Sequence, residues 1–282
     1  MLSDIIAFME SVILDKWTEE RLNDVLREAA KMQDAGERIA FISGQFAGAA
    51  YKGKTLIGDV NTPEVFVINL SGVDCFTFID YVEAMRLSAS FQKIKNNLKR
   101  LRYKSGKVAF ENRNHFFTDW IEFNPELVVD VTEEIGGRHA VKIRKVLNLK
   151  EAGAYYLPGM ETREREIKYI PSDAVDNSMI DKLKTGDYAG IYSDKAGLDV
   201  SHVGIIIKNE NSELILRHAS SVKGKVVDED FKEYMIDKPG LIVLRARTIR
   251  PCLSISKCLI LAFLSRFSSA TIATIPAGRR GR

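Results

Sequence analysis

The spacing of apolar residues changes once along this 282-residue chain, and that change restricts the fold more than any other feature. In the first hundred residues it is helical. Ile5, Met9, Val12 and Ile13, then Leu22, Val25, Leu26 and Ala29, recur at three and four residues, as short amphipathic helices require. A further helix is expected over about 37–46. The run VFVINL at 65–70 reads as a strand that Ser71-Gly72 breaks, and a helix then starts at Asp74 or Cys75. Asp74 suits the N-cap. Cys75, Ile79, Val82 and Met85 share one face, and Phe91, Ile94, Leu98 and Leu101 mark a second helix.

Beyond Gly186 the runs are β-branched: YAGIY at 188–192, HVGIIIK at 202–208, ELILRHAS at 213–220 and LIVLRA at 241–246. Helices followed by neighbouring strands define an α+β class with an antiparallel sheet. The stretch 102–187, with short apolar runs between Gly-Gly and Pro-Gly turns, reads as an inserted subdomain. The expected organisation is one domain over 1–249 followed by an atypical basic tail over 250–282, disordered or loosely docked. That tail holds six basic residues and no acid, which leaves 35 basic against 38 acidic residues in the body, a net −3. Such a body is no polyanion binder, so nucleic acid is not an expected partner. No run approaches the roughly 20 apolar residues of a membrane span, and the N-terminus shows no signal peptide. A monomer is expected.

Cys75, Cys252 and Cys258 form neither a disulfide framework nor a C-x-x-C pair. A thiol at a helix start is placed for chemistry, because unpaired N–H groups there favour the thiolate and hold an oxyanion. The competing reading is a core cysteine acting as a small hydrophobe. His202 opens one strand and His218 nearly closes the next. A three-residue loop centred on Glu210 would set Lys208 against Ser212 and His202 directly opposite His218, on one sheet face. One imidazole then takes the thiol proton and the other orients it.

The segments VDCFTFIDYVEA, SHVGIII and LRHASS resemble motifs of the NlpC-type branch of papain-like cysteine peptidases. The order FAGAAY, VINLSGVDCFTF, RYKSGKVAFENRNHFFTDWI, SHVGI and HAS is similar, within that branch, to the N-acetylmuramoyl-L-alanine amidase-like family, also known as domain of unknown function 1460. The resemblance runs from about Glu37 to Arg247. It implies a papain-like fold, a helical half carrying the cysteine packed on a sheet carrying the histidine pair. It also implies Cys75 as nucleophile, His202 as base and His218 as orienting residue. Tyr51, Asp74, Asn114, His115, Trp120 and Ser201 are the residues it places toward substrate. The implied substrate is peptidoglycan or its muropeptide fragments, cut between N-acetylmuramic acid and L-alanine without metal or cofactor, in the cell envelope or periplasm. The alternative bond joins D-glutamate to the diamino acid of the stem peptide. Two departures bear on substrate preference: FAGAAY lacks the family's Thr-Pro before the tyrosine, and Asp80 stands where Glu is usual.

Three rival classes are weighed against this. GAAYKGKT at 48–55 matches the phosphate-binding P-loop letter for letter, but a helix precedes it where a strand is needed, and Gly58 and Pro63 spoil a helix after it. Cys75, His115, His202 and His218 offer enough donors for a catalytic zinc, though at no familiar zinc spacing. A non-catalytic cell-wall binding module would not need an intact Cys, His, His set.

Overall fold

The computed structural model describes residues 10–209, 211 and 213–248. The helix starts are set by side-chain caps: Thr18 opens α1 (Glu19–Ala29), Asp34 opens α2 (Ala35–Gly44), and strand β2 (Phe66–Asn69) then leads to α3 (Cys75–Arg86). Ser90 caps α4 (Phe91–Arg102), whose Phe91, Ile94, Leu98 and Leu101 are all buried, as their spacing requires. One expectation fails at the N-terminal end. Residues Glu10–Ile13 form a strand, β1, parallel to β2, not part of a helix, and Val12 and Ile13 are exposed. Ile5 and Met9 lie outside the described residues, as do Glu210, Ser212, Cys252, Cys258 and the whole 250–282 tail.

After α5 (Asp119–Phe123) come β3 (Val128–Asp130), α6 (Thr132–Gly136), β4 (Val141–Leu147), β5 (Arg163–Pro171) and α7 (Asn177–Lys182). Then follow β6 (Tyr188–Tyr192), β7 (Val200–Lys208), β8 (Leu214–Ser220), β9 (Lys225–Asp230), α8 (Phe231–Met235) and β10 (Gly240–Ala246). Among the described residues eight of these strands form one sheet in the order β4-β5-β10-β6-β7-β8-β9, with β3 also paired to β10. The stretch 102–187 is thus woven into the sheet: β5 and β3 both hydrogen-bond to β10. Its strands escape a reading by apolar runs because β4 and β5 alternate charge with modest hydrophobes along a largely exposed hairpin.

Two apolar clusters form the core. The larger joins α1 to α4 with Tyr188, Val203, Ile205 and Ala219 of the sheet. The smaller joins α6, α7 and α8 with Ala189, Ile191, Ile206 and Leu216. Helix α3 lies deep inside, and its two acids are paired: Asp80 accepts from Arg102 at 2.9 Å, and Glu83 takes Arg86 and the Tyr188 hydroxyl at 2.7 Å each. Buried charges with partners on α4 and β6 define one position for the helix, because either charge alone would be costly to bury. Among the described residues no helix is long and apolar enough to cross a membrane.

Candidate active site

Cys75 is the first residue of α3, and its position is fixed within four residues of sequence. The Asp74 carboxylate accepts from the Thr77 N–H at 2.7 Å, and the Thr77 hydroxyl accepts from the Asp74 N–H at 3.0 Å, a reciprocal capping box. Asp74 is therefore occupied as a cap. Tyr51 arrives from a strap of extended chain, its N–H bonded to the Gly224 carbonyl at 2.8 Å and its backbone bridged to Val73. This strap is the segment with the P-loop pattern. It neither follows a strand into a turn nor opens a helix, so its glycines cradle nothing.

The histidines come from a register different from the one a three-residue loop gives. Lys208 pairs with Leu214, and the connection is five residues, 209–213. The shift is two residues, and a shift of two preserves the sheet face. The imidazoles still meet, diagonally: His202 Nε2 lies 2.7 Å from His218 Nδ1, with the rings nearly perpendicular at 88°. On the other side of β7 the ladder to β6 shifts between Ile191 and Tyr192, so that Ser201 is the extra residue of a bulge. Bulges re-aim side chains, and this one sits beside His202. The β7–β8 ladder ends at Ile205 opposite Arg217. Beyond that pair β7 keeps only its β6 partner, and the Val203 N–H points at the Cys75 sulfur.

Cys75, Phe76, His115, Phe116, Phe117, Asp199, Ser201, His202 and Val203 are among the residues that line one cleft of ≈ 380 Å³. His115 and Phe116 also wall a neighbouring narrow recess that reaches Arg113 and Arg163. The cleft thus brings together Cys75, His202, His115 and Ser201, with His218 behind His202. Asn114 and Trp120 are not on its surface. They are 3% and 0% exposed: the Asn114 amide donates to the Leu101 carbonyl at 2.8 Å, and the Trp120 ring packs edge-on against Tyr188 and Phe76. Both support the cleft wall from behind and cannot touch a ligand.

Burial sets the protonation states. It pushes the Cys75 thiol up to about 11, with the Asp74 carboxylate adding to the effect. The N–H groups of Val203, Cys75 and Phe76 pull the other way without prevailing. The expectation of a thiolate made by the helix start alone is therefore reversed: desolvation of the anion outweighs the local N–H groups. Burial likewise pushes His202 down to about 4, aided by His218 and opposed by Glu229, and it lowers His218 too. At neutral pH the resting pair is a thiol and an uncharged imidazole. His115, also pushed down to about 4 by burial, spends its Nε2 on the Phe110 carbonyl at 2.9 Å.

Three contributions were not legible in the sequence. Glu229 on β9 holds His218 Nε2 at 2.7 Å, and Lys223 holds the other Glu229 oxygen at 3.0 Å. The Tyr234 ring stands 5.0 Å from that of His218 and 6.1 Å from that of His202. Asp199, on the cleft wall, accepts from the Thr118 N–H and hydroxyl and from the Val200 N–H, which ties α5's approach to the start of β7. Among the described residues no group of three or more His, Cys, Asp or Glu is arranged to hold a metal. Both nitrogens of His218, and the Nε2 atoms of His202 and His115, are engaged with each other, with Glu229 or with a carbonyl.

A helix-start thiol and a neutral imidazole pair sharing one cleft are groups chemically capable of acyl transfer. The model of the N-acetylmuramoyl-L-alanine amidase-like (AmiA-like) family matches residues 41–241, and the chain belongs to that family. A Bacteroides uniformis structure described as an N-acetylmuramoyl-L-alanine amidase is 26% identical with a TM-score of 0.63, over 76% of this chain and 99% of that one. A Legionella pneumophila protein assigned to the domain of unknown function 1460 has the same fold, with a TM-score of 0.68 at 24% identity, over 81% and 94%. A Bacteroides fragilis protein described as a putative xylanase is 29% identical with a TM-score of 0.60, over 72% and 98%. No curated protein matches. The family match contains Cys75, His202, His218 and Glu229 together.

Proposed function

We propose that this chain is a cysteine hydrolase of peptidoglycan fragments that cuts the amide between N-acetylmuramic acid and L-alanine, on a papain-like scaffold of the NlpC type. The observation that carries the reading is the cleft shared by Cys75 and His202, in which His202 has one nitrogen held by His218 and the other, Nδ1, left to act. In the reaction His202 takes the thiol proton as sulfur bonds to the lactyl carbonyl carbon. Helix-start N–H groups hold the oxygen that becomes negative. The carbon–nitrogen bond breaks as His202 returns the proton to the departing amine of L-alanine, leaving a thioester. Water then attacks the thioester, with His202 again as base, and releases the acid and the thiol. A thiol pushed up to about 11 and a base pushed down to about 4 both rest uncharged, so the thiolate has to be made by proton transfer during the reaction. Such a pair is uncharged until substrate enters. The similarity to the B. uniformis amidase favours the sugar-proximal bond, and the location proposed with such a substrate is the cell envelope or periplasm.

Digestion of purified muropeptides, read by mass spectrometry, tests this. The expected products are free stem peptides and peptide-free sugars, absent when Cys75→Ser replaces the protein. Shortened peptides still attached to sugar would instead assign the bond between D-glutamate and the diamino acid. Undiminished turnover by Cys75→Ser would remove the mechanism.

A further inference from the structure

We propose that Glu229 is a positioning residue that fixes the tautomers of both imidazoles in series and so keeps His202 Nδ1 bare as the proton acceptor. This deepens the proposed function and rests on it for the identity of the base. The chain of contacts is Glu229 Oε2 to His218 Nε2 at 2.7 Å, then His218 Nδ1 to His202 Nε2 at 2.7 Å. A carboxylate only accepts, so His218 Nε2 must carry the hydrogen. A neutral His218 then has a bare Nδ1, which can only accept, so the His202 hydrogen must sit on Nε2. One proton is thereby placed at each step, and the last nitrogen in the series is His202 Nδ1. If Glu229 were absent the bond between the imidazoles could form reversed, His218 Nδ1–H donating to His202 Nε2, and His202 would present an N–H where the thiol needs a lone pair.

Three further features suit this role. Burial acts to raise the Glu229 carboxyl, but hydrogen bonds from Lys223 and His218 outweigh it and keep the group below the usual carboxylate range, hence ionised at neutral pH. Lys223 holds the second oxygen, so the carboxylate cannot swing. The Tyr234 ring packs against both imidazoles and restricts their rotation. The cross-strand register explains the reach: His218 faces Val227, and Glu229 is the next residue of β9 with the same orientation. The charged groups that face the pair are few. His202 feels His218, Glu229 and Lys238, while His218 feels Glu229, Lys223 and Asp228; the titratable neighbours of Cys75 are Asp74, Tyr51 and Tyr234.

The test uses the full chain and two variants, Glu229→Gln and Glu229→Leu, with nitrogen-15 NMR of the imidazoles and the pH profile of muropeptide turnover. In the unaltered protein His202 is expected as the Nε2–H tautomer. Glu229→Leu should lose that bias and lower kcat roughly tenfold to a hundredfold with KM nearly unchanged, because the group acts on the base and not on substrate. Glu229→Gln still offers an accepting oxygen and should keep most of the tautomer. Its acid limb should move to lower pH, since the charge that favours protonation of both histidines is gone. An unchanged tautomer in Glu229→Leu, or an unchanged acid limb in Glu229→Gln, would reduce Glu229 to a strand residue and overturn the proposal. If Glu229→Leu fails to fold, the Glu229→Gln profile decides. The NMR result needs no turnover, so it separates this idea from the proposed function: altered tautomers together with full activity of Cys75→Ser would sink the cysteine mechanism alone.

Discussion

The two walls of the cleft are built by opposite kinds of order. Cys75 is held by neighbours in sequence, Asp74 and Thr77, in a cap that any chain with these residues can form. The sheet wall is held at a distance: His202, His218 and Glu229 sit on three strands, and their contacts depend on two registers and one bulge. The first wall resists change in any one remote residue. The second has all its geometry in common, so a fault in one strand reaches every member. The electrostatics divide in the same way. The thiol is pushed up and the imidazoles down, so acid attacks the sheet wall and alkali the helix wall.

The largest effect that would sharpen this contrast is acid destabilisation. His202 and His115 have folded values of about 4 against an ordinary 6.5, so the folded state binds fewer protons than the unfolded one between those limits. Their contribution is fully present above pH 6.5 and is lost as pH falls through about 4. A tenfold change in proton affinity corresponds to about 1.4 kcal/mol, so each histidine contributes on the order of 3 kcal/mol once fully expressed. Chemical denaturation followed from pH 7 to pH 4 should show the loss, and His202→Asn should remove about half of it, leaving the His115 share. For Cys75 the sign reverses: its contribution is present below pH 9 and disappears as pH rises through about 11. A pH 7 to 4 stability slope unaltered in His202→Asn would break the division.

Next in size is Gly204→Ala. A methyl there would meet Leu216 Cδ1 at 2.7 Å, the Arg217 carbonyl at 3.0 Å and His218 Cβ at 3.1 Å. Overpacking of this kind costs about 1–3 kcal/mol, and relief by moving β8 would part the imidazoles. Turnover should fall more than the thermal midpoint does, with iodoacetamide labelling of Cys75 unchanged. The smallest effect is expected from Thr77→Val, which removes one half of the capping box. A cost of about 1 kcal/mol is expected, read as a drop of a few degrees in Tm, with the His202 and His218 resonances unmoved. Histidine shifts in Thr77→Val would show that the walls are coupled.

The same contrast explains what could be read from the chain. The helix start at Cys75, the phase of Phe91, Ile94, Leu98 and Leu101, and the strands around His202 and His218 depend on spacing and caps, which sequence carries directly. The meeting of the histidines was legible only as a condition on loop length. The loop is two residues longer than a three-residue turn, and the imidazoles still meet, because only an odd shift changes the face. Glu229 was out of reach: β9 reads KVVDED, short and charged, and nothing local distinguishes its fifth residue from Asp228 or Asp230. Asn114 and Trp120 show the reverse error, since a motif gives proximity to a site but not which side of the wall a side chain occupies. The burial of Trp120 follows from packing against Tyr188 and Phe76, both remote from it in sequence.

The central claim is that the locally built thiol and the remotely built imidazole act as one unit. A cycle of Cys75→Ser, His202→Ala and the double variant, measured as kcat on a muropeptide, tests it most directly. Groups that share one proton transfer are not additive: once either is lost the other has nothing left to do. Each single variant is therefore expected to lose nearly as much turnover as the double variant. Losses that multiply, with the double variant far below either single one, would show two independent contributions and contradict the account.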